Sequence, residues 1–141
     1  MKMKTMFFAF LLSLALCLPT LAEVKDFGNF TGNVPAGWTT FKNNDTGVVG
    51  IIAPDKSAAV SIYLDKNPAE NIEELAKQFF AALKGSDLKK VQDNTFRFTF
   101  KNESGVESKC AISGDSELFC MVTVTGNHPE VENIVNSLQP K

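Results

Sequence analysis

Cys110 and Cys120 are the residues of this chain best placed to do covalent chemistry. Gly114-Asp115-Ser116 stands between them and reads as a hairpin turn. A register centred on Asp115 sets Cys110 opposite Cys120, Ile112 opposite Leu118, Ser108 opposite Val122 and Val106 opposite Val124. Both thiols then share the apolar face at bridging distance, which predicts a structural disulfide. So short a loop gives about 3 kcal/mol in the chain-entropy account. A redox-active pair normally takes the form Cys-x-x-Cys at a helix N-terminus, and this spacing does not match it.

Other chemistries lack their parts. His128 is the single histidine, and no Gly-x-Ser-x-Gly elbow accompanies it. One histidine and two bridged cysteines do not make a zinc site of the usual nitrogen and sulfur type. No calcium-loop or phosphate-cradle pattern is present. Asp115-Ser116-Glu117 reads as a solvated hairpin tip. Glu73 and Glu74 read as the wet side of a helix. The residues therefore predict no catalytic set, no metal and no cofactor. Binding is what remains. Tyr63, Arg97, Lys109, Phe119 and Met121 fall at outward positions of strands, a mixed face centred on Tyr63 and Arg97. Trp38, the one tryptophan, is the other candidate anchor, and it also suits a core plug.

The N-terminus has the layout of a secretory signal. Lys2 and Lys4 precede an apolar run from Met6 to Leu18, Pro19 breaks it, and Thr20 and Ala22 sit at −3 and −1 of a cut before Glu23. The run is shorter than the ~20 residues of a spanning helix. Leu14-Ala15-Leu16-Cys17 resembles a lipobox but departs from it at Leu16, so Cys17 is expected to leave with the peptide. The division is thus a cleaved peptide over 1–22 and one globular domain over 23–141, with a periplasmic or secreted destination in a bacterium. The formal charge is −2, and it becomes −4 once Lys2 and Lys4 are removed. No Lys/Arg cluster offsets this, which argues against nucleic acid and against anionic membranes as partners.

The elements that would position these residues follow from periodicity. Trp38 to Phe41 reads as a short strand. Val48 to Ala53 is apolar throughout, as a strand covered on both faces would be. Ala58 to Asp65 alternates, with Ala58, Val60, Ile62 and Leu64 on one side. A helix over 68–84 follows, with Asn67 as its cap, Glu70 completing a capping box and Gly85 ending it. Its stripe is Ile72, Leu75, Ala76, Phe79, Phe80 and Leu83. Asn94 to Lys101 alternates, with Phe96, Phe98 and Phe100 inward and Thr95, Arg97, Thr99 and Lys101 outward. The cysteine hairpin covers 106–113 and 117–125. Asn127, Pro129 and Glu130 open a last short helix carrying Val131, Ile134, Val135 and Leu138. Residues 23–35 are a lead-in anchored by Phe27 and Phe30, with Gly32-Asn33-Val34-Pro35 as a turn. The sum is an α+β domain: a mainly antiparallel sheet of about six strands in the order βββ-α-βββ-α, with helices packed on it.

Val34-Pro35-Ala36-Gly37-Trp38 leading into a strand, then the apolar Val48–Pro54 segment ending in Pro-Asp, a third strand and a helix, resembles the opening of the Mog1/PsbP-like group of small exported bacterial proteins. The likeness spans Phe30 to Gly85, and beyond that holds only in the order of elements. It implies a layered sheet and a non-enzymatic binding or assembly role, and it carries over no catalytic residue. The cysteine hairpin is a departure from the group. The resulting expectation is an exported binding or assembly module of unknown ligand whose partner is another envelope or extracellular protein. A secreted inhibitor or effector is the second reading, and an enzyme with an unrecognised site the third.

Overall fold

A computed structural model describes residues 22–141; the signal peptide expected over 1–22 falls, but for its last residue, outside them, and so does Cys17. The strands are β1 (Glu23–Asp26), β2 (Phe30–Val34), β3 (Thr39–Lys42), β4 (Val49–Ile52), β5 (Ala58–Lys66), β6 (Ser86–Gln92), β7 (Thr95–Lys101), β8 (Glu107–Gly114), β9 (Leu118–Gly126) and β10 (Gln139–Pro140). The helices are α1 (Ile72–Ala82), between β5 and β6, and α2 (Val131–Ser137), between β9 and β10. Seven strands form one antiparallel sheet in the order β3-β4-β5-β9-β8-β7-β6. β1, β2 and β10 form a separate three-stranded sheet with β2 in the middle. The class is α+β, as the sequence predicts, but the strand count and order differ.

Both faces of the large sheet carry a core. Alternation along β5 sends Val60, Ile62 and Leu64 to one side, where they meet Phe30 and Val34 of β2, Trp38, and Ile134 of α2. The other side receives Phe96, Phe98, Cys110, Ile112 and Phe119, packed against Ile72, Leu75 and Ala76 of α1. The α1 stripe is the one the i, i+3, i+4 spacing predicts. The helix is shorter than 68–84 because Asn67 is occupied elsewhere. Its Oδ1 accepts the Ala69 N–H at 2.7 Å and its Nδ2 donates to the Asp115 carbonyl at 2.8 Å. Residues 68–70 are thereby held in a turn, and Asn71 becomes the cap by accepting the Glu74 N–H at 2.8 Å. Asn67 thus ties the start of α1 to the cysteine hairpin.

The segment 23–35 is built, not a lead-in. Gly32, Asn33 and Val34 belong to β2, with the Leu138 side chain so near Gly32 that a Cβ there would lie 2.8 Å from it. Ser137 joins the layers: its hydroxyl donates to the Ile134 carbonyl at 2.6 Å and accepts the Asn33 N–H at 2.8 Å. Phe27 and Phe30 do serve as anchors, stacked at 5.0 Å with Phe30 buried. β6 carries no alternation that a sequence reading would register. Its pairing with β7 shifts twice, and Asp87 within it has φ +58°.

The turn between β8 and β9 sets the parity of half the sheet. Asp115 accepts the N–H groups of Glu117 and Leu118 at 2.8 and 2.9 Å, and Gly114 pairs with Phe119. Gly114 has φ +147°, and a Cβ on it would stand 2.2 Å from the Leu118 carbonyl oxygen. No other residue fits there. The expected register centred on Asp115 is displaced: Cys110 faces Thr123 and Ile112 faces Met121. An odd displacement sends every side chain of one strand to the face opposite its expected neighbour.

Two substitutions test this architecture. Gly114→Ala should cost about 3 kcal/mol through backbone strain and the carbonyl clash. Ile134→Ala should cost about 3 kcal/mol by leaving a cavity where α2 meets the core. Urea midpoints at unchanged m-value would report both. Losses below about 1 kcal/mol would contradict the packing described.

Candidate functional site

The predicted binding residues are not brought together. Trp38 is buried in the core beneath α2, with His128 edge-on to its ring at 4.9 Å, and it acts as a plug. Tyr63 lies on the α1 face, edge-on to Phe119 at 5.2 Å, with its hydroxyl donating to Asp65 at 3.1 Å. Burial pushes its hydroxyl pKa up, and the Asp65 carboxylate adds to the effect. Arg97 is exposed on the opposite face, in a row with Ala111 and Val122. The mixed face expected from the sequence is therefore two faces: Tyr63, Phe119 and Met121 under α1, Arg97 and Lys109 away from it.

The same parity separates the cysteines. Cys110 sits in the α1 core beside Phe98, whereas Cys120 packs into the opposite core, and both are free thiols. The predicted disulfide is absent for a definite reason, since the sheet itself lies between the sulfurs. Burial pushes the Cys110 thiol up to about 11 and the Cys120 thiol upward too, so neither is a thiolate near neutrality.

Arg97 leads to the exposed surface with the clearest chemical character. The layer formed by α2 and β2 lies over β4, β5 and β9 only. On that face no described element covers β6, β7 and β8. One row across the strands shows the change. Lys89 and Arg97 are exposed, Ala111 and Val122 half-buried, and Ile62 and Val49 buried. The next row runs Thr99, Lys109, Val124, Val60, Ile51 with the same trend. In a further row Lys101 faces Glu107. Lys89, Arg97, Lys101 and Lys109 thus share one open half of the sheet with the hydroxyls of Thr95, Thr99 and Ser113. None of the four cations is in an ion pair among the described residues. Lys89 and Arg97 stand directly opposite one another, an arrangement that costs stability in a sheet left to itself. Sequence alternation identifies Arg97, Thr99 and Lys101 as outward; it misses Lys89 because the bulges of β6 break the period.

The other uncovered half, on the α1 face of β3 to β5, carries no cation, and its one carboxylate is Asp65 at the end of β5. There Phe41, 52% exposed, lays its ring over Gly50 and fills the space a side chain would take. Two clefts of about 500 and 540 Å³ flank Pro35, and neither is lined by a histidine or a cysteine. No group of three or more metal-ligating side chains occurs among the described residues. No helix among them is long and apolar enough to cross a membrane.

No family model matches the chain, and no curated protein sequence does. Solved structures do. The solution structure of the cyanobacterial PsbP (CyanoP) of Synechocystis sp. PCC 6803 matches 93% of this chain and 99% of its own length, with a TM-score of 0.60 and 8% identity. A crystal structure from Bacteroides thetaiotaomicron matches 85% of this chain with a TM-score of 0.54 and 18% identity. The chain spans about half of that second protein, 48% of its length. At these identities the likeness is one of fold: the chain has the PsbP-like fold that its sequence resembles.

The raised Cys110 thiol carries a pH dependence with a definite sign. The folded state holds the Cys110 proton more tightly than the unfolded chain does. Stability is complete below the unfolded thiol pKa near 9 and declines as pH rises towards about 11. The decline should amount to about 2 kcal/mol. Cys110→Ala should flatten that stretch of the curve in urea melts taken across the alkaline range, and an unchanged slope would count against the burial of this thiol.

Proposed function

We propose, taking the PsbP-like fold as premise, that this is an exported, non-catalytic binding or assembly module acting through the open half of its large sheet. The single observation behind this reading is the uncovered face of β6, β7 and β8, with Lys89, Arg97, Lys101 and Lys109 on it. A sheet that builds apolar cores on both sides but leaves one half-face wet and basic has kept a surface free for a partner. Helix α1 backs that surface from the other side of β7 and β8. Its chemistry suits recognition: cations and hydroxyls at fixed spacing, and no nucleophile paired with a base. Export rests on the N-terminal segment, in which a basic start, an apolar run and Thr20/Ala22 precede Glu23. The mature chain then begins at the first residue of β1, so the cut removes nothing from the folded domain. The partner by this reading is another envelope or extracellular protein.

A photo-crosslinking residue placed at Thr99, in the centre of the open half, tests the reading in the protein's own host. A second copy of the experiment carries the probe at Asn44, in the turn between β3 and β4. The Thr99 probe should capture one dominant protein, and Arg97→Glu should abolish that product while leaving the melting temperature in place. Identical products from both probe positions would overturn the assignment of the surface. The mass of the extracted protein should correspond to a chain beginning at Glu23.

A further inference from the structure

Resting on that reading, we infer that the open half-sheet receives an extended acidic protein segment whose carboxylates stand at alternate residues. The spacing of the cations carries the inference. Arg97, Lys109 (which faces Thr99) and Lys101 occupy successive two-residue levels along the strand direction. Strand geometry makes each step about 6.7 Å. Lys89 lies at the level of Arg97, directly across from it. An extended chain laid along β7 and β8 presents every second side chain on one side at the same interval. Three successive alternate carboxylates would meet the Lys89/Arg97 pair, Lys109 and Lys101 in turn. The first would stand between two like charges that otherwise oppose each other, which removes the cost of that juxtaposition. The third meets the weakest position, because Glu107 already faces Lys101. Thr99 offers a hydroxyl between the cations, Thr95 and Ser113 offer two more one level beyond Arg97, and Ala111 and Val122 give a low floor on which a backbone can lie.

Charge complementarity is local. The chain as a whole is acidic at −2, so this face departs from the rest of the surface. Other polyanions fit it less well. The face has no aromatic ring on which an unpaired base could stack. Its apolar groups are too small or too few to enter a bilayer: Ala111 is half-buried, Val122 is recessed against the neighbouring core, and Val91 at the β6 bulge is a lone valine, 42% exposed.

Two synthetic peptides of one composition provide the test: glutamate and threonine strictly alternating, and the same residues gathered into two blocks. Each carries a fluorophore, and polarisation is read against the full mature protein at low salt and at about 0.15 M. The alternating peptide should bind about tenfold more tightly than the blocked one. The variant Arg97→Glu/Lys109→Glu should lose binding with its circular dichroism melt unchanged, and Lys42→Glu/Lys56→Glu should bind as the parent does. Equal affinity for the two peptides, or no binding of either, would overturn the inference. So would tighter binding of phosphatidylserine vesicles through the same residues. If the Thr99 crosslink persists while the peptides fail, the segment chemistry is overturned and the binding-module reading stands. If that crosslink is lost as well, both fall.

Discussion

The parity of the β8–β9 hairpin is the constraint on which the molecule depends. Two hydrogen bonds to the Asp115 carboxylate and the bare α-carbon of Gly114 fix which residue of β9 faces which residue of β8. Because β9 also pairs with β5 along nine residues, the setting passes into the other half of the sheet. With cores on both faces, a slip by one residue would not merely expose a few apolar groups. It would exchange the contents of the two cores, placing the Phe119 layer against α2 and the Val122 layer against α1. The Asp115 carboxylate is held below its ordinary pKa by the same N–H groups, so the turn keeps its charge, and its geometry, well into acid.

Coverage of the large sheet is diagonal. α1 lies over β7 and β8 on one face, and α2 with the small sheet lies over β4, β5 and β9 on the other. Each helix is too short to cover seven strands, and each is held at its own end by a side-chain tie, Asn67 for α1 and Ser137 for α2. Two half-faces remain open, and their chemistry differs. One carries no cation and is closed off by Phe41 resting on Gly50; the other is basic and carries hydroxyls. The difference is not visible in the total charge of the chain, which is acidic. It comes from strand alternation collecting residues that lie far apart in sequence, Lys89 and Lys109 among them.

Much of this fold was legible in the sequence. The α1 stripe, the three inward phenylalanines of β7 and the alternation of β5 follow from period alone, and the anchors Phe27 and Phe30 from their aromatic bulk. The illegible parts have physical causes. β6 is bulged and lacks a period. Residues 23–26 are exposed throughout, with no apolar side to betray a strand. The hairpin register depended on a glycine conformation that alternation does not report, and one odd offset turned a plausible disulfide into two thiols on opposite faces. The same offset split Tyr63 from Arg97. Of the residues singled out for binding, Arg97 and Lys109 stand on the open basic half. Trp38 is accounted for as packing.

The seam between β5 and β9 has a bearing on how the chain reaches its shape. β3, β4 and β5 form one run of neighbouring hairpins, and β6 to β9 form another, each assembled from contacts close in sequence. They join along one line only, between Ala58–Lys66 and Leu118–Gly126. Closing that line means shutting a loop of more than fifty residues, an entropic cost that local hairpins never meet. The rate of folding should therefore be governed by this joining step, as in other sheets with distant partners. A chain emerging from its N-terminus presents β5 as a bare, apolar edge until β9 arrives. That interval is when its least protected strand is on view.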